Sequence, residues 1–410
     1  MTPSLYIALG FLAHRKRALL LSLTGVVFGV AFFICIQAQT QGFAQYFVNS
    51  TLGSNGALVL RERFETRQIG FLGSGKTTNA AHRQNFEGIM DANEIMRVSR
   101  QFNNVAACSP VLRGNLSVRS GFENATAEIY GIEPVLHLQT TDLARQITKG
   151  SVKDFRDKPN SVILGSRLAE TLHADVGDSV QLLAPGGQYR RFEVAAIARS
   201  GVGAIDSTRL YSQARVAQSL LHKPYAASMI IYKLRDPDRA PALAQHFEDL
   251  FSHNATSWQE RDQSSLHLFR TLQLSAAITV SLVILLAGFG IFNVLTLTVL
   301  AKVREIAILR SMGYRRGDIS AIFLWQGGLV AAAGSIIGCV VGALMSWGMS
   351  KIPIHLRGLL STDYFIVAWD WRHYLWATLL AAVSVLIASY VPARRAAQLP
   401  PVATLRGSSV

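Results

Sequence analysis

The residues that could do chemistry are few, and each must be judged by its neighbours. Gly70-Phe71-Leu72-Gly73-Ser74-Gly75-Lys76-Thr77 fits the pattern G-x-x-x-x-G-K-[ST]. In a phosphate-binding loop of that kind, backbone amides cradle the phosphates, the lysine reaches the β/γ oxygens and the threonine binds Mg²⁺. A buried strand must come before it, and Glu62-Arg63-Phe64-Glu65-Thr66-Arg67-Gln68 is not one. The segment reads as a Gly/Ser/Thr loop, and no cofactor is expected on this chain. Ser166-Arg167-Leu168-Ala169-Glu170 and the scattered histidines offer no nucleophile–base or metal-ligand spacing. Cys35 and Cys339 lie in apolar runs and Cys108 is alone in the large polar section, so no disulfide framework forms. No catalytic residue and no metal site are expected.

Lys302-Val303-Arg304-Glu305-Ile306-Ala307-Ile308-Leu309-Arg310-Ser311-Met312-Gly313 is different. It is helical by propensity, and Gly313 is a natural stop just past a helix end. Ile308 and Met312 share a face, while Arg304 and Arg310 carry charge. A short rigid helix exposing apolar and basic groups suits docking on a soluble protein. The alternative is a basic helix lying on anionic lipid.

The elements around this helix are apolar. Half of the 410 residues are hydrophobic, 16% are charged, and the mean hydropathy of +0.26 is high for a soluble chain. Composition excludes a disordered chain and a disulfide scaffold. The net charge of +14 could suggest nucleic acid, but its distribution argues against that partner. Residues 40–270 hold 26 basic and 22 acidic residues, whereas 1–17, 301–318 and 392–410 hold 3, 5 and 3 basic residues against only Glu305 and Asp318. The excess flanks hydrophobic runs, which is the positive-inside pattern. Four runs free of Asp, Glu, Lys and Arg are long enough to span a bilayer, at 18–38, 272–300, 319–350 and 373–393. The first is too long for a signal-peptide core. Segments 1–17, 301–318 and 394–410 are then expected in the cytoplasm, with 39–271 and 351–372 outside. Trp369, Trp371, Tyr374 and Trp376 fit an interfacial belt at the start of the fourth run.

In the third run Gly334, Gly338, Gly342, Ser346 and Ser350 recur every fourth residue, which makes a small-residue face for a neighbouring helix. The outer section is expected to be α+β. Strand signals fall at Ala57–Leu60, Asn115–Val118, Ala127–Tyr130, Ser161–Leu164, Ser179–Leu183, Phe192–Ala198 and Met229–Tyr232. Helix signals fall at Arg167–His173, at Gln213–Leu221 with Ser212 as N-cap, and at Ala240–Phe251. Pro185-Gly186-Gly187 reads as a hairpin turn. Leu266, Phe269 and Leu272 mark 258–272 as a stalk helix leading into the second span. The whole is a membrane protein of four transmembrane α-helices, with a large α+β extracytoplasmic domain between the first and second.

Arg304–Gly313 with Tyr314-Arg315-Arg316-Gly317-Asp318-Ile319 resembles the coupling-helix signature of MacB-like and lipoprotein-releasing (Lol-type, LolC/LolE-like) ABC transporter permeases, which carry an FtsX-like permease domain. Phe289–Val294, with Asn293, is similar to the family's second span. Pro392–Ala397 and Pro401–Arg406 resemble its C-terminal end. Ser161–Asp178, Phe192–Tyr211 and Trp258–Leu272 look most like the Lol-type branch. The resemblance implies a cell inner membrane protein that pairs with a second permease, identical or homologous. Two separate ATPase subunits, which bind ATP and Mg²⁺, would dock on Arg304, Glu305, Ile308, Leu309, Arg310, Met312 and Gly313. It implies mechanical work, first of all lipoprotein release toward the outer membrane. Export of another periplasmic cargo with an outer-membrane partner, or control of a cell-wall hydrolase, are the alternatives. Family members that recruit a periplasmic lipoprotein carrier use a long hook, and here the matching hairpin, Leu183–Arg190, is short. For a lipoprotein, acyl chains need an apolar cleft open to the outer leaflet. Phe32, Phe33 and Ile36 of the first span are candidates for it, as are Leu274, Ile278 and Leu282, spaced i, i+4, i+8, in the second.

Overall fold

A backbone in hydrocarbon has no water to bond, so a charge-free run of spanning length must satisfy its N–H and C=O groups internally. In the computed structural model each of the four runs is one long helix: Lys16–Asn55, Gln263–Ala301, Arg316–Met349 and Trp371–Gln398. All four are long and apolar enough to cross a membrane. The structure describes residues 8, 10, 16–62, 88–89, 91–183, 187, 189–223, 227–357 and 360–398. The phosphate-loop-like segment, most of the 184–188 turn and the 401–406 motif lie outside them. The described chain divides into two units, a helical unit of Met1–Gln45, Leu268–Pro353 and Tyr364–Val410, and a sheet unit of Tyr46–His267 and Ile354–Asp363.

The first helix continues well past Ala38. At about 1.5 Å per residue its 40 residues reach about 60 Å, roughly twice a hydrocarbon core. Gly56 stops it, with φ +67°, and its N–H bonds Leu52 O at 2.9 Å. The expected stalk is two pieces. A short helix, Trp258–Arg261, starts at Ser257, whose Oγ accepts the Glu260 N–H, and the second long helix begins after Asp262 leaves helical dihedrals. Phe269 is buried and Leu272 exposed.

Inside the helical unit, glycines set how closely the helices approach. A Cβ on Gly334 would fall 2.7 Å from Val26 Cγ1, one on Gly338 2.8 Å from Val30 Cβ, and one on Gly342 3.1 Å from Ala31 Cα. The small-residue face of the third helix therefore lies on the first, with Ser346 also buried. Gly29 approaches Ile284 Cγ1 of the second helix, where a Cβ would sit at 3.2 Å, and Gly288 of the second approaches Ser384 O of the fourth, at 3.4 Å. A Cβ on Gly327 of the third would overlap Ser389 of the fourth. Helices one, two, four and three thus form a closed ring of neighbours, filled by Val30, Phe33, Ile34, Val280, Ile291, Phe323 and Val385.

Among the described residues the large sheet of this unit has ten strands: β1 (Leu58–Arg61), β2 (Val105–Ser120), β3 (Glu123–Ile132), β4 (Ile147–Gly150), β5 (Ser161–Gly165), β6 (Ser179–Leu183), β7 (Tyr189–Ala198), β8 (Arg209–Gln213), β9 (Met229–Leu234) and β10 (Asn254–Ser257). Their order is β10-β1-β9-β2-β3-β8-β5-β7-β4, with β6 pairing both β2 and β7. The pairings β2–β3–β8–β5–β7–β6–β2 close on themselves. Leu116, Ile129, Leu164, Val180, Val194 and Leu210, one from each strand of that circuit, share one core. The long β2 leaves the ring to join β9, β1 and β10, whose Leu60, Tyr232 and Ala255 pack with Phe247 of the helix Ala240–Phe251. Ser212 is a buried residue of β8 rather than a helix cap. The helix begins at Ala214, after Gln213.

The 351–372 connection, expected as a loop, holds a hairpin of β11 (Pro353–Arg357) and β12 (Ser361–Tyr364). Its inner part belongs to the sheet unit. Ser361 N–H donates to Gly201 O at 2.9 Å, Leu360 bridges Val202, and Asp363 pairs with Arg199.

His137, on the helix Pro134–Thr140, is fully buried beside Ser109 Oγ at 3.4 Å and the Tyr211 ring. Burial, helped by the Arg209 charge, pushes its pKa from 6.5 to about 3. Between those values the unfolded chain holds a proton there that the folded chain lacks, so stability falls as pH drops below 6.5. A His137→Leu variant should lose up to about 1.4 kcal/mol per pH unit of that dependence, measured by denaturation of the detergent-solubilised protein across this range. In the helical unit, Gly338→Ala should destabilise by about 1–3 kcal/mol, seen as a lowered thermal midpoint. Gly290→Ala, where a Cβ meets nothing within 4 Å, should be neutral or slightly stabilising.

Candidate functional site

The loop between the second and third long helices folds as the helix Val303–Ser311, with Gly313 at φ +99° just beyond it. Its sequence is amphipathic in a specific way. Ile306 and Ala307 are buried, while Arg304, Glu305, Ile308, Ser311 and Met312 face out. These positions are i, i+1, i+4, i+7 and i+8, which is one helical face. Lys302 pairs with Glu305 at the helix start. Ile308 is 43% and Met312 72% exposed, large apolar groups standing beside Arg304.

Leu309 and Arg310, expected on the same docking surface, turn the other way. Leu309 packs on the helical-unit core, and Arg310 Nη1 donates to Ala397 O at 3.2 Å, at the end of the fourth helix. A cation on the last carbonyls of a helix is favourable there. Arg310, half-buried, therefore ties the short helix to the end of the fourth. The turn into the third helix is fixed likewise, by Asp318, whose carboxylate accepts the Arg315 N–H at 2.9 Å.

The six candidates for an acyl-chain cleft divide. Phe33 is 6% exposed and sits in the helical core, while Ile36 is half-buried and packs against it. Phe32 and Phe33 are 100° apart on the helix, and only Phe32 faces out. Phe32 faces out, as do Leu274, Ile278 and Leu282 at 63%, 54% and 59% exposure. The second helix continues that face through Leu285, Leu286 and Phe289. Sequence reading missed the β11–β12 hairpin, although Ile354-His355-Leu356 alternates as a strand does.

The profile of the MacB-like periplasmic core domain matches residues 19–250, and that of the FtsX-like permease C-terminal region matches residues 277–401. The chain belongs to the MacB-like, FtsX-domain permease family. It is an ABC transporter permease of the LolC/MacB family, and its four long apolar helices make it a multi-pass membrane protein. It is 23% identical to the lipoprotein-releasing system transmembrane protein LolC of Neisseria meningitidis serogroup B, over 98% of each chain. It is 25% identical to the macrolide export ATP-binding/permease protein MacB of Acinetobacter baylyi, over 96% of this chain and 57% of that one. The crystal structure of the periplasmic region of MacB from Actinobacillus actinomycetemcomitans overlays 52% of this chain and 92% of that region, at 14% identity and a TM-score of 0.34.

If Arg310 is a structural tie, Arg310→Gln should lower the stability of the solubilised permease by about 1 kcal/mol. Arg304→Gln on the outer face should change it by less than about 0.5 kcal/mol. Thermal unfolding of the two variants side by side separates these roles.

Proposed function

We propose that this permease is the membrane subunit of a lipoprotein-releasing ABC system, working with ATPase subunits on separate chains that bind ATP and Mg²⁺. The observation that carries the reading is the end-to-end match to LolC, 98% of each chain, whereas the MacB relative is matched over 57% of its length. A cytoplasmic position for both termini and the Val303–Ser311 helix is supported by the basic segments 1–17, 301–318 and 394–410. The outward face of Arg304, Glu305, Ile308 and Met312 is then the ATPase contact. An apolar anchor beside a cation is the composition that such contacts favour. Two permeases, identical or homologous, face each other in the assembly.

Acyl chains of the cargo follow the outward face of Phe32, Leu274, Ile278 and Leu282. The first and second helices, each roughly twice as long as a bilayer core, carry the ATPase stroke toward the sheet unit. Export of another periplasmic cargo is the second reading, favoured by the MacB match over 96% of this chain and by the short Leu183–Arg190 hairpin.

Two substitutions test the assignment. Ile308→Asp should leave the permease inserted but weaken ATPase co-purification by about 2 kcal/mol, more than tenfold in affinity. Wild-type recovery of ATPase with stimulated turnover would remove the docking face. Ile278→Asn should slow release of a lipoprotein from proteoliposomes while basal ATP hydrolysis persists, because a polar group there must be desolvated at about 1–3 kcal/mol. Unchanged release by Ile278→Asn, with crosslinks to cargo arising only from the sheet unit, would favour the export reading.

A further inference from the structure

The sheet unit contains a cavity of about 180 Å³ lined by four arginines, Arg61, Arg113, Arg209 and Arg261, with one carboxylate, Glu128, and one phenol, Tyr130. Arginine stays protonated in proteins. Arg113 pairs with Glu128, and Arg261 pairs with Asp262 at 3.1 Å. Among the described residues, Arg61 and Arg209 have no carboxylate within ion-pair distance.

Arg209 is the stronger observation, because it is 4% exposed. Its guanidinium lies 4.0 Å over the Tyr130 ring centroid, and Nη2 donates to Asn55 Oδ1 at 2.8 Å and to Tyr130 OH at 3.0 Å. Those partners are neutral oxygens. Its Nε, and the Nε of Arg261, are buried with no partner at all. A buried cation without its counter-charge is among the costliest features a fold can keep. Arg61 is exposed at the end of β1, and partial desolvation, then the Arg113 guanidinium, push it below its ordinary pKa. Like charges have been gathered here.

A structural role covers part of this. Arg209 reaches Asn55, and Arg261 Nη1 and Nη2 donate to Asn55 O and Gly56 O at 3.4 and 3.3 Å, so both hold the carbonyl end of the first long helix. That role does not use Arg61 or Arg113, which touch no helix end.

We propose that this cavity binds a phosphate-type dianion, either inorganic phosphate or the phosphomonoester group of a larger molecule, between Arg61, Arg113, Arg209 and Arg261. The charge count selects the class. Two guanidiniums, buried Arg209 and exposed Arg61, have no carboxylate within ion-pair distance among the described residues, and a phosphomonoester carries about −1.5 to −2 at neutral pH, whereas one carboxylate carries a single charge. The guanidinium forks match its oxygens in pairs, and the unpartnered Nε–H groups are donors for it. Asn55 ends the first long helix and Arg261 ends the turn before the second, so an occupied site would join the two.

The test is calorimetric titration of the full-length permease in non-ionic detergent with inorganic phosphate, glycerol phosphate and succinate. Saturable one-to-one binding of inorganic phosphate or glycerol phosphate is expected. Preference for the first assigns the site to the free ion, and preference for the second to a phosphorylated headgroup. Arg61→Gln, at the exposed end of a strand and outside the helix tie, should weaken binding about tenfold, as loss of a charge-assisted bond does. Arg119→Gln, in β2 away from the cavity, should leave it unchanged. Absence of saturable binding by both phosphates, an affinity indifferent to Arg61→Gln, or succinate binding as tightly as phosphate would each overturn the proposal.

Discussion

Apolar helices surrounded by hydrocarbon gain nothing from the hydrophobic effect by touching one another, so close backbone approach has to hold the bundle together. That constraint explains why glycine, poor in a soluble helix, occupies one contact after another here. Gly334, Gly338 and Gly342 admit Val26, Val30 and Ala31 of the first helix, while Gly29 admits Ile284 and Gly288 the backbone at Ser384. The first helix approaches the connection before the fourth in the same way. A Cβ on Gly42 would stand 2.7 Å from Ile366 O, next to the Ala368 N–H to Ala38 O bond of 2.9 Å. The large residues of these helices are thereby freed to face outward, and it is from that outward set that any cargo or second permease must be met.

The sheet unit answers a different solvent. It buries apolar strand faces in water-excluding cores, and its pairings close so that β2, β3, β5, β6, β7 and β8 leave few open edges. Buried polar groups are mostly paired, as with Ser99, whose Oγ donates to Ile95 O at 2.7 Å and lies 3.1 Å from Tyr232 OH. Two exceptions contrast, Arg209 and His137, where one charge is kept and one is refused. His137 stays neutral because nothing there compensates a proton.

Much of this was legible in the sequence. Charge-free runs can only be spanning helices, and the period of four in Gly334–Ser346 can only be one face, so both followed from composition and spacing. The α+β character and most strands of the sheet unit followed from runs of Val, Ile and Leu. What failed was whatever depends on a partner far away in the chain. Phe33 and Arg310 have the types expected of an acyl cleft and a docking face, but their directions are set by the core and by Ala397. Ser212 has the type of a helix cap, yet β3 pairing claims it for a strand. The glycines outside the third helix lack a repeat, and the arginines that meet at the cavity come from β1, β2, β8 and the turn before the second helix. No local pattern announces either.

The β11–β12 hairpin has a consequence for the order in which the protein is made. The sheet unit takes its last piece, Ile354–Asp363, from beyond the third helix. When His267 leaves the ribosome the strands of β1 to β10 exist, but the site beside Gly201 and Val202 is still vacant. The roughly 90 residues from there to Ile354 take about 5–20 s to synthesise, and they include two helices that must enter the bilayer first. The outer fold is therefore completed only after the membrane has accepted the third helix. Seating of Leu360 beside Val202 and pairing of Asp363 with Arg199 can therefore only follow synthesis of the third helix.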